Sequence, residues 1–201
     1  VGNTRYGYLG GGTLFPTTSF GNVRTSFIRI DYFNDTATGL SRGSIGYGRH
    51  NLGATGNSSF GYFGGGGYTS TVDRIDYSND TATASPKGPL SATRYNPAAT
   101  GNSSYGYFGC GATPIGVSTI DRLDFSTETI TTPTPQLSAK ELLAATSSSS
   151  YGYFVAGSNP GPYVNTVDRI DFSTETITAP ARSLSQALFV GGTPLSQVWL
   201  F

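Results

Sequence analysis

The chain lacks methionine altogether, and its 201 residues hold one cysteine (Cys110), one histidine (His50) and one tryptophan (Trp199). With no Met and a start at Val1, it is expected to be a processed product or a piece of a longer chain. No basic-then-apolar leader stands at its beginning. A single Cys excludes an internal disulfide and a thiolate-rich metal site. One His and one Cys cannot assemble a zinc, copper or iron centre, so no metal or other cofactor is expected. Charge is scarce as well: 12 % of residues are charged, about half the usual ~25 %. Twelve Lys and Arg balance twelve Asp and Glu, and the pI is near 6.7. Such a chain has no basic footprint for nucleic acid or an anionic membrane. It also has no apolar run of ~18 residues, so membrane insertion as a helix is not expected. Strong helix formers are few, while Gly, Thr, Ser and Tyr dominate. Yet 36 % of residues are hydrophobic and 13 % aromatic, enough to bury a core.

What is there is a repeat. Tyr6-Gly7-Tyr8-Leu9 returns as Phe60-Gly61-Tyr62-Phe63, Tyr105-Gly106-Tyr107-Phe108 and Tyr151-Gly152-Tyr153-Phe154. A second string follows each copy: Phe27 to Tyr32, Val72 to Tyr77, Ile120 to Phe125 and Val167 to Phe172. Its arginines, Arg29, Arg74, Arg122 and Arg169, are spaced 45, 48 and 47 residues apart. The units run roughly 1–50, 51–95, 96–141 and 142–186, in one domain over 1–201. Units one and two share Asp-Tyr-x-Asn-Asp-Thr-Ala-Thr, and units three and four share Asp-Phe-Ser-Thr-Glu-Thr-Ile-Thr, as tandem duplication would leave them.

Each unit reads as four short strands, exemplified by Arg94–Thr100, Tyr105–Phe108, Val72–Tyr77 and Thr81–Thr83. Asn, Asp, Ser and Gly between them supply turns, and Tyr, Phe, Val, Ile and Thr suit pleated strands. Four strands in a unit of this length indicate an all-β protein, a β-propeller of four-stranded antiparallel blades. Gly7, Gly61, Gly106 and Gly152 are expected where a neighbouring backbone or ring comes close. Pro97 is expected on the innermost strand, at an edge that loses no ladder donor. Arg74 with Asp76, Arg122 with Asp124 and Arg169 with Asp171 share a strand face and read as structural ion pairs.

The order of these signals resembles the kelch repeat. Tyr62-Phe63-Gly64-Gly65 stands for its hydrophobic strand ending in glycines, Val72 to Tyr77 for its Tyr-Asp strand, Asn79 to Thr83 for its turn and Thr-rich strand, and Arg94 for its closing Arg. The resemblance covers essentially the whole chain, but Thr or Ala stands where the kelch Trp follows the turn. The closeness of the copies is also similar to repetitive kelch-like proteins of marine bacteriophages and aquatic bacteria. The kelch resemblance implies a propeller. The second implies a structural protein of a virion tail, neck or fibre, or of a bacterial surface, located extracellularly. Four blades are expected, with Ser185–Gly192 supplying the first strand that unit one lacks. The alternative is a fragment of a ring of five or more blades, with 187–201 opening the next.

Catalytic signals are weak, so no enzyme is expected. His50 falls where Arg94-Tyr95 stands in the next unit and reads as a packed or solvated side chain. Kelch-like copper radical oxidases need several His and a Tyr–Cys pair, which this chain lacks. No Gly-x-Ser-x-Gly elbow joins a Ser-His-Asp set. Carboxylates such as Asp73 and Asp76 recur per unit and read as fold elements, not a glycosidase dyad. The run Gly64–Gly67 lacks the Lys-Ser/Thr and helix of a phosphate cradle and reads as a flexible loop. Asn34, Asn57, Asn79 and Asn102 match glycosylation acceptors, but they recur because the turns recur.

In an up-and-down four-stranded blade, the second-to-third loops and the connectors between blades share one end. There the units differ most, and recognition residues tend to sit on loops held by a rigid scaffold. The candidate contact residues are Phe15, Phe20, Arg24, Tyr68, Ile115 and Tyr163. The function expected is a non-enzymatic structural or adhesive module offering this face to a protein assembly partner or a surface glycan, in an oligomer or multi-copy assembly. The alternatives are a lectin-like propeller that stacks sugars on Tyr and Phe in each blade, and a cytosolic protein–protein adaptor.

Overall fold

Strands of two to ten residues, joined by polar turns at one end and glycine-containing loops at the other, dominate the computed structural model. It describes residues 1–13, 23–34, 36, 38–158, 161–179 and 183–187. The chain is all-β, with no α-helix among the described residues. Four antiparallel sheets follow one another along the chain. The first holds β1 (Tyr6–Gly10), β2 (Ser26–Asp31) and β3 (Leu40–Ser44). The second holds β4 (Gly53–Gly56), β5 (Phe60–Gly64), β6 (Thr69–Asp76) and β7 (Ser85–Arg94). The third holds β8 (Ala98–Gly101), β9 (Tyr105–Gly109), β10 (Ile120–Asp124) and β11 (Ile130–Thr131). The fourth holds β12 (Ala144–Ser147), β13 (Tyr151–Val155), β14 (Val167–Asp171) and β15 (Ile177–Thr178). Within every sheet the strands lie side by side in chain order.

The repeated turns explain the register. The Asn57 side chain accepts from the amides of Ser59 and Phe60, each at 2.9 Å, and Asn102 does the same for Ser104 and Tyr105 at 2.8 Å. Asn3 accepts from Arg5 and Tyr6, and in the fourth sheet the Ser148 hydroxyl takes this role. These side chains satisfy the turn amides and set the next strand's first pairing.

The strands depart from expectation in three places. Arg94 closes β7 of the second sheet and does not open a first strand; the first strand of the third sheet is shorter than expected, and Pro97 stands just ahead of it, outside β8. Thr81–Thr83 is not a strand: around it, Asp80 and Ala84 bond to the first sheet, with Gly43 N donating to Asp80 O at 2.8 Å and Ala84 N to Ser44 O at 2.7 Å. Those polar groups are spent between sheets and leave no ladder of their own. Unit one, finally, has part of its first strand: Gly2 bridges Gly7 as Gly56 pairs Gly61, and Tyr8 N donates to Val1 O at 2.7 Å. Of the expected closing segment Ser185–Gly192, residues 188–192 lie outside the described residues, as does the rest of the chain to Phe201.

Successive sheets are joined by three kinds of contact, repeated. A phenyl ring lies over a glycine of the preceding sheet: Phe63 on Gly10, Phe108 on Gly64 and Phe154 on Gly109. A tyrosine stacks on the ring that ends the next sheet's third strand. Tyr8 lies on Tyr77 at 5.0 Å, Tyr62 on Phe125 at 5.2 Å and Tyr107 on Phe172 at 5.3 Å. Of the glycines expected at close approaches, Gly7 faces the Tyr32 ring of its own sheet, while Gly61, Gly106 and Gly152 are there for two reasons at once. A Cβ on Gly106 would strike both Thr55 of the preceding sheet and the Phe125 ring. A Cβ on Gly152 would strike Thr100 and Phe172.

The third contact is ionic, and it corrects the expected pairing. The strand arginines do not bind the Asp two residues on; they reach into the following sheet. Arg29 pairs with Asp80, Arg74 with Glu128 and Arg122 with Glu175, each at 2.7 Å. Asp76, Asp124 and Asp171 instead accept from the amide and hydroxyl of Ser78, Ser126 and Ser173. A residue two along a strand shares its face, but the carboxylate is drawn first to turn donors that the local chain holds within reach.

Candidate functional site

The loops between second and third strands and the connectors between sheets meet at one end of the sheets, and backbone hydrogen bonds tie them together. Gly12 N donates to Arg49 O, Gly66 N to Arg94 O and Gly111 N to Lys140 O, so each loop is fastened to the connector leaving its own sheet. Asn96 N donates to Asn51 O and links one connector to the next. A run of antiparallel bridges continues the ribbon: Tyr95 with Ala112, Ala112 with Gly116, Val117 with Lys140, Glu141 with Ser158 and Ser158 with Tyr163.

Gly64–Gly67 belongs to this ribbon and is not a free loop. Gly65, Gly66 and Gly67 all take positive φ, and their amides donate to Thr71 O, Arg94 O and His50 O. Only glycine accepts three such values in a row without strain. With its amides spent on the protein, the run has no cradle to offer a phosphate.

Beneath the ribbon sits a buried basic residue for each of the three junctions. Arg49 pairs with Asp73 at 2.6 Å, Arg94 with Asp121 at 2.5 Å and Lys140 with Asp168 at 2.9 Å, all of them almost wholly buried. The cations also donate to strand-end carbonyls: Arg49 to Phe63 and Gly65, Arg94 to Phe108, Cys110 and Thr119, and Lys140 to Phe154. These groups orient the loop bases, and their carboxylates are consumed internally. Cys110, at positive φ beside them, is fully buried; burial pushes its thiol up to about 12, and Sγ donates to Ser138 O. It is a neutral packing residue at physiological pH.

On the outer side of the ribbon, Tyr68 is 55 % exposed and stacks flat on Tyr95, with ring centroids 4.8 Å apart. Tyr95 meets the His50 ring edge-on, and its hydroxyl and His50 Nε2 share a 3.3 Å hydrogen bond. His50 therefore packs as expected, and its buried Nδ1 has no hydrogen-bond partner. Ile115 stands 61 % exposed beyond Pro114, and Tyr163 is exposed at the far end of the bridge ribbon. Arg24 is exposed, with its amide bonded to Gly12 O. Phe15 and Phe20 lie outside the described residues.

Tyr68, Ile115 and Tyr163 are thus strung along one hydrogen-bonded ribbon. Tyr95 and His50 complete an aromatic cluster that sequence reading did not assemble. A usable signal existed, because the residue after each buried cation differs between units: His50, Tyr95, Glu141. By contrast, the repeated Tyr and Phe of the second and third sheets are consumed between sheets: Tyr62, Tyr107, Phe63 and Phe108 are essentially unexposed. Among the described residues no group of His, Cys, Asp and Glu could hold a metal, and no helix is long and apolar enough to cross a membrane. No protein-family model matches the chain, and no curated protein matches it.

Proposed function

We propose that this chain is a non-enzymatic structural or adhesive module, its sheets the blades of a kelch-like β-propeller and its loop end the contact face. The observation that carries the reading is the exposed Tyr68–Tyr95 stack on a fully hydrogen-bonded loop ribbon. A planar aromatic held by a rigid base loses little conformational entropy on binding, which suits it as an anchor. The partner is a protein of an assembly or a surface glycan, and the setting is the outside of a virion or of a bacterial cell. This setting rests on the resemblance of the repeats alone.

The lectin reading narrows to Tyr68 and Tyr163 at the loop end, because the repeated Tyr62, Phe63, Tyr107 and Phe108 of the second and third sheets are stacked away between sheets. For the blade number, the exposure of Leu9 and Tyr32 on the first sheet favours a ring larger than the four sheets of one chain over a closed ring of four. A glycan array and a cross-linking pull-down on intact virions or cells separate the readings. A protein partner retained by the parent chain and lost with Tyr68→Ala supports the adhesive module. Binding to defined sugars, lost with Tyr68→Ala and Tyr163→Ala, favours the lectin. Hydrolase or oxidase turnover by the isolated chain overturns both.

A further inference from the structure

Among the described residues, the first and fourth sheets each leave uncovered the face that a neighbouring sheet covers elsewhere. On the first sheet, Leu9 and Ile28 are cross-strand partners, as are Gly7 and Ile30, so Leu9, Ile28 and Ile30 share a face with the Tyr32 ring that crosses Gly7. The four side chains are 57, 36, 38 and 53 % exposed. Their counterparts Phe63, Asp73 and Ile75 in the second sheet are buried. On the fourth sheet, Tyr153 and Arg169 are cross-strand partners on the opposite kind of face. Tyr153 is part-exposed where Tyr62 and Tyr107 are sealed, and Thr146 is exposed where Thr55 and Thr100 are sealed. Arg169 has no carboxylate partner among the described residues, and its guanidinium rests over the Tyr151 ring.

These two faces differ from the internal ones at matched positions, and the differences compensate. At each internal junction a Phe packs on a Gly; at the ends, Leu9 replaces the Phe and Val155 replaces the Gly. The smaller side chain on one face answers the larger one on the other. At each internal junction a connector cation is buried against an Asp of the next sheet. At the ends, Ile28 stands for the Asp, and Ala187, three residues after Leu184, stands for the Lys or Arg. At Leu184 the fourth sheet repeats an internal contact, since Leu184 N donates to Asn165 O as Leu137 N does to Ser118 O. Losing either charge alone would strand the other in a buried site; both are gone together. Tyr153 and Tyr32 remain as the two halves of the stacking pair.

From these paired changes we infer that the fourth-sheet face of one copy of this chain docks on the first-sheet face of a second copy, head to tail. Among the described residues, Leu9, Ile28, Ile30 and Tyr32 on one face and Thr146 on the other stay exposed within a single chain. A self-complementary pair of unlike faces gives a heterologous contact, which two copies can use twice to close a ring.

Sedimentation velocity and light scattering over two decades of concentration test this on the 201-residue chain. A 21.0 kDa protomer is expected to give a species of twice that mass. Leu9→Glu and Val155→Arg, at positions open in the single chain, are each expected to leave a folded monomer by circular dichroism. An equimolar mixture of the two variants is expected to re-form a dimer, because each supplies the face the other lacks. Leu9→Phe should weaken association about tenfold by overpacking against Val155, and adding Val155→Gly should restore it. A parent chain that stays monomeric throughout overturns the proposal, whether its ends are open, covered by 188–201 or closed on each other. Association that survives both charged variants, or a mixture that fails to associate, overturns it equally. Glycan or partner binding through Tyr68 is scored separately and does not depend on the mass.

Discussion

Arg122 of the third sheet donates to Glu175 of the fourth at 2.7 Å, and Tyr107 from the strand beside Arg122 donates to the same oxygen at 3.1 Å. One junction earlier, Arg74 and Tyr62 hold Glu128 in the same way, and at the first junction Arg29 and Tyr8 hold Asp80. A carboxylate from each turn is therefore clamped by the sheet before it. Glu128 and Glu175 sit at positive φ, so the clamp also holds a strained turn. Tyr107→Phe removes one charge-assisted bond and leaves the packing intact. It is expected to cost about 1.5–3 kcal/mol in urea unfolding.

The same clamp sets an acid limit. Burial alone would raise the Glu128 carboxyl, but hydrogen bonds from Lys87, Tyr62 and Arg74 outweigh it and hold the group below its ordinary 4.5. Asp76, Asp124 and Asp171 lie below 3.8, chiefly because serine hydroxyls and amides bond the ionised form. As pH falls, the unfolded chain takes up these protons first. The stability they contribute is thus complete above the ordinary values and is lost as pH drops through the depressed ones. Urea midpoints are expected to hold from neutral pH to about 4.5 and to fall below it. Ser126→Ala should flatten the fall by removing the main cause of the Asp124 shift.

Arg94 and Asp121 form the most deeply buried charge pair, at 2.5 Å with both side chains unexposed. Asp121→Ala strands the guanidinium and should destabilise by about 3–5 kcal/mol. The Arg94→Met, Asp121→Leu double variant should recover much of that loss, because it leaves no buried charge unpaired. A double variant as unstable as Asp121→Ala would instead assign the cost to the carbonyls that Arg94 serves.

Gly109 has Leu137 and the Phe154 ring 2.6 Å from where a Cβ would stand. Gly109→Ala is expected to cost about 1–3 kcal/mol by overpacking, with the loss read as a lower melting temperature.

Cys110 should resist alkylation in the native chain at pH 8 and react on unfolding, since its thiol is buried and pushed up to about 12. Prompt native-state labelling would contradict the packing around it.

The strands, their turns and the small-residue positions were legible in the sequence because period-two patterning, Asx turns and close approaches are local demands repeated in every unit. The string Tyr105-Gly106-Tyr107-Phe108 becomes β9, and Asn102 makes its turn. The partners of Arg74 and Arg122 were not legible, because they depend on which turn of the next sheet comes within reach. The loop-end cluster was half legible. Tyr68 stood out as a variable aromatic, but its stacking on Tyr95 needed the connector and the glycine loop brought together. By itself the sequence determined that this protein would be made of repeated antiparallel sheets, through residue patterns that act within one unit. Only the tertiary structure decided which charges meet, which aromatics remain exposed and which sheet faces are left uncovered, because those outcomes belong to contacts between units.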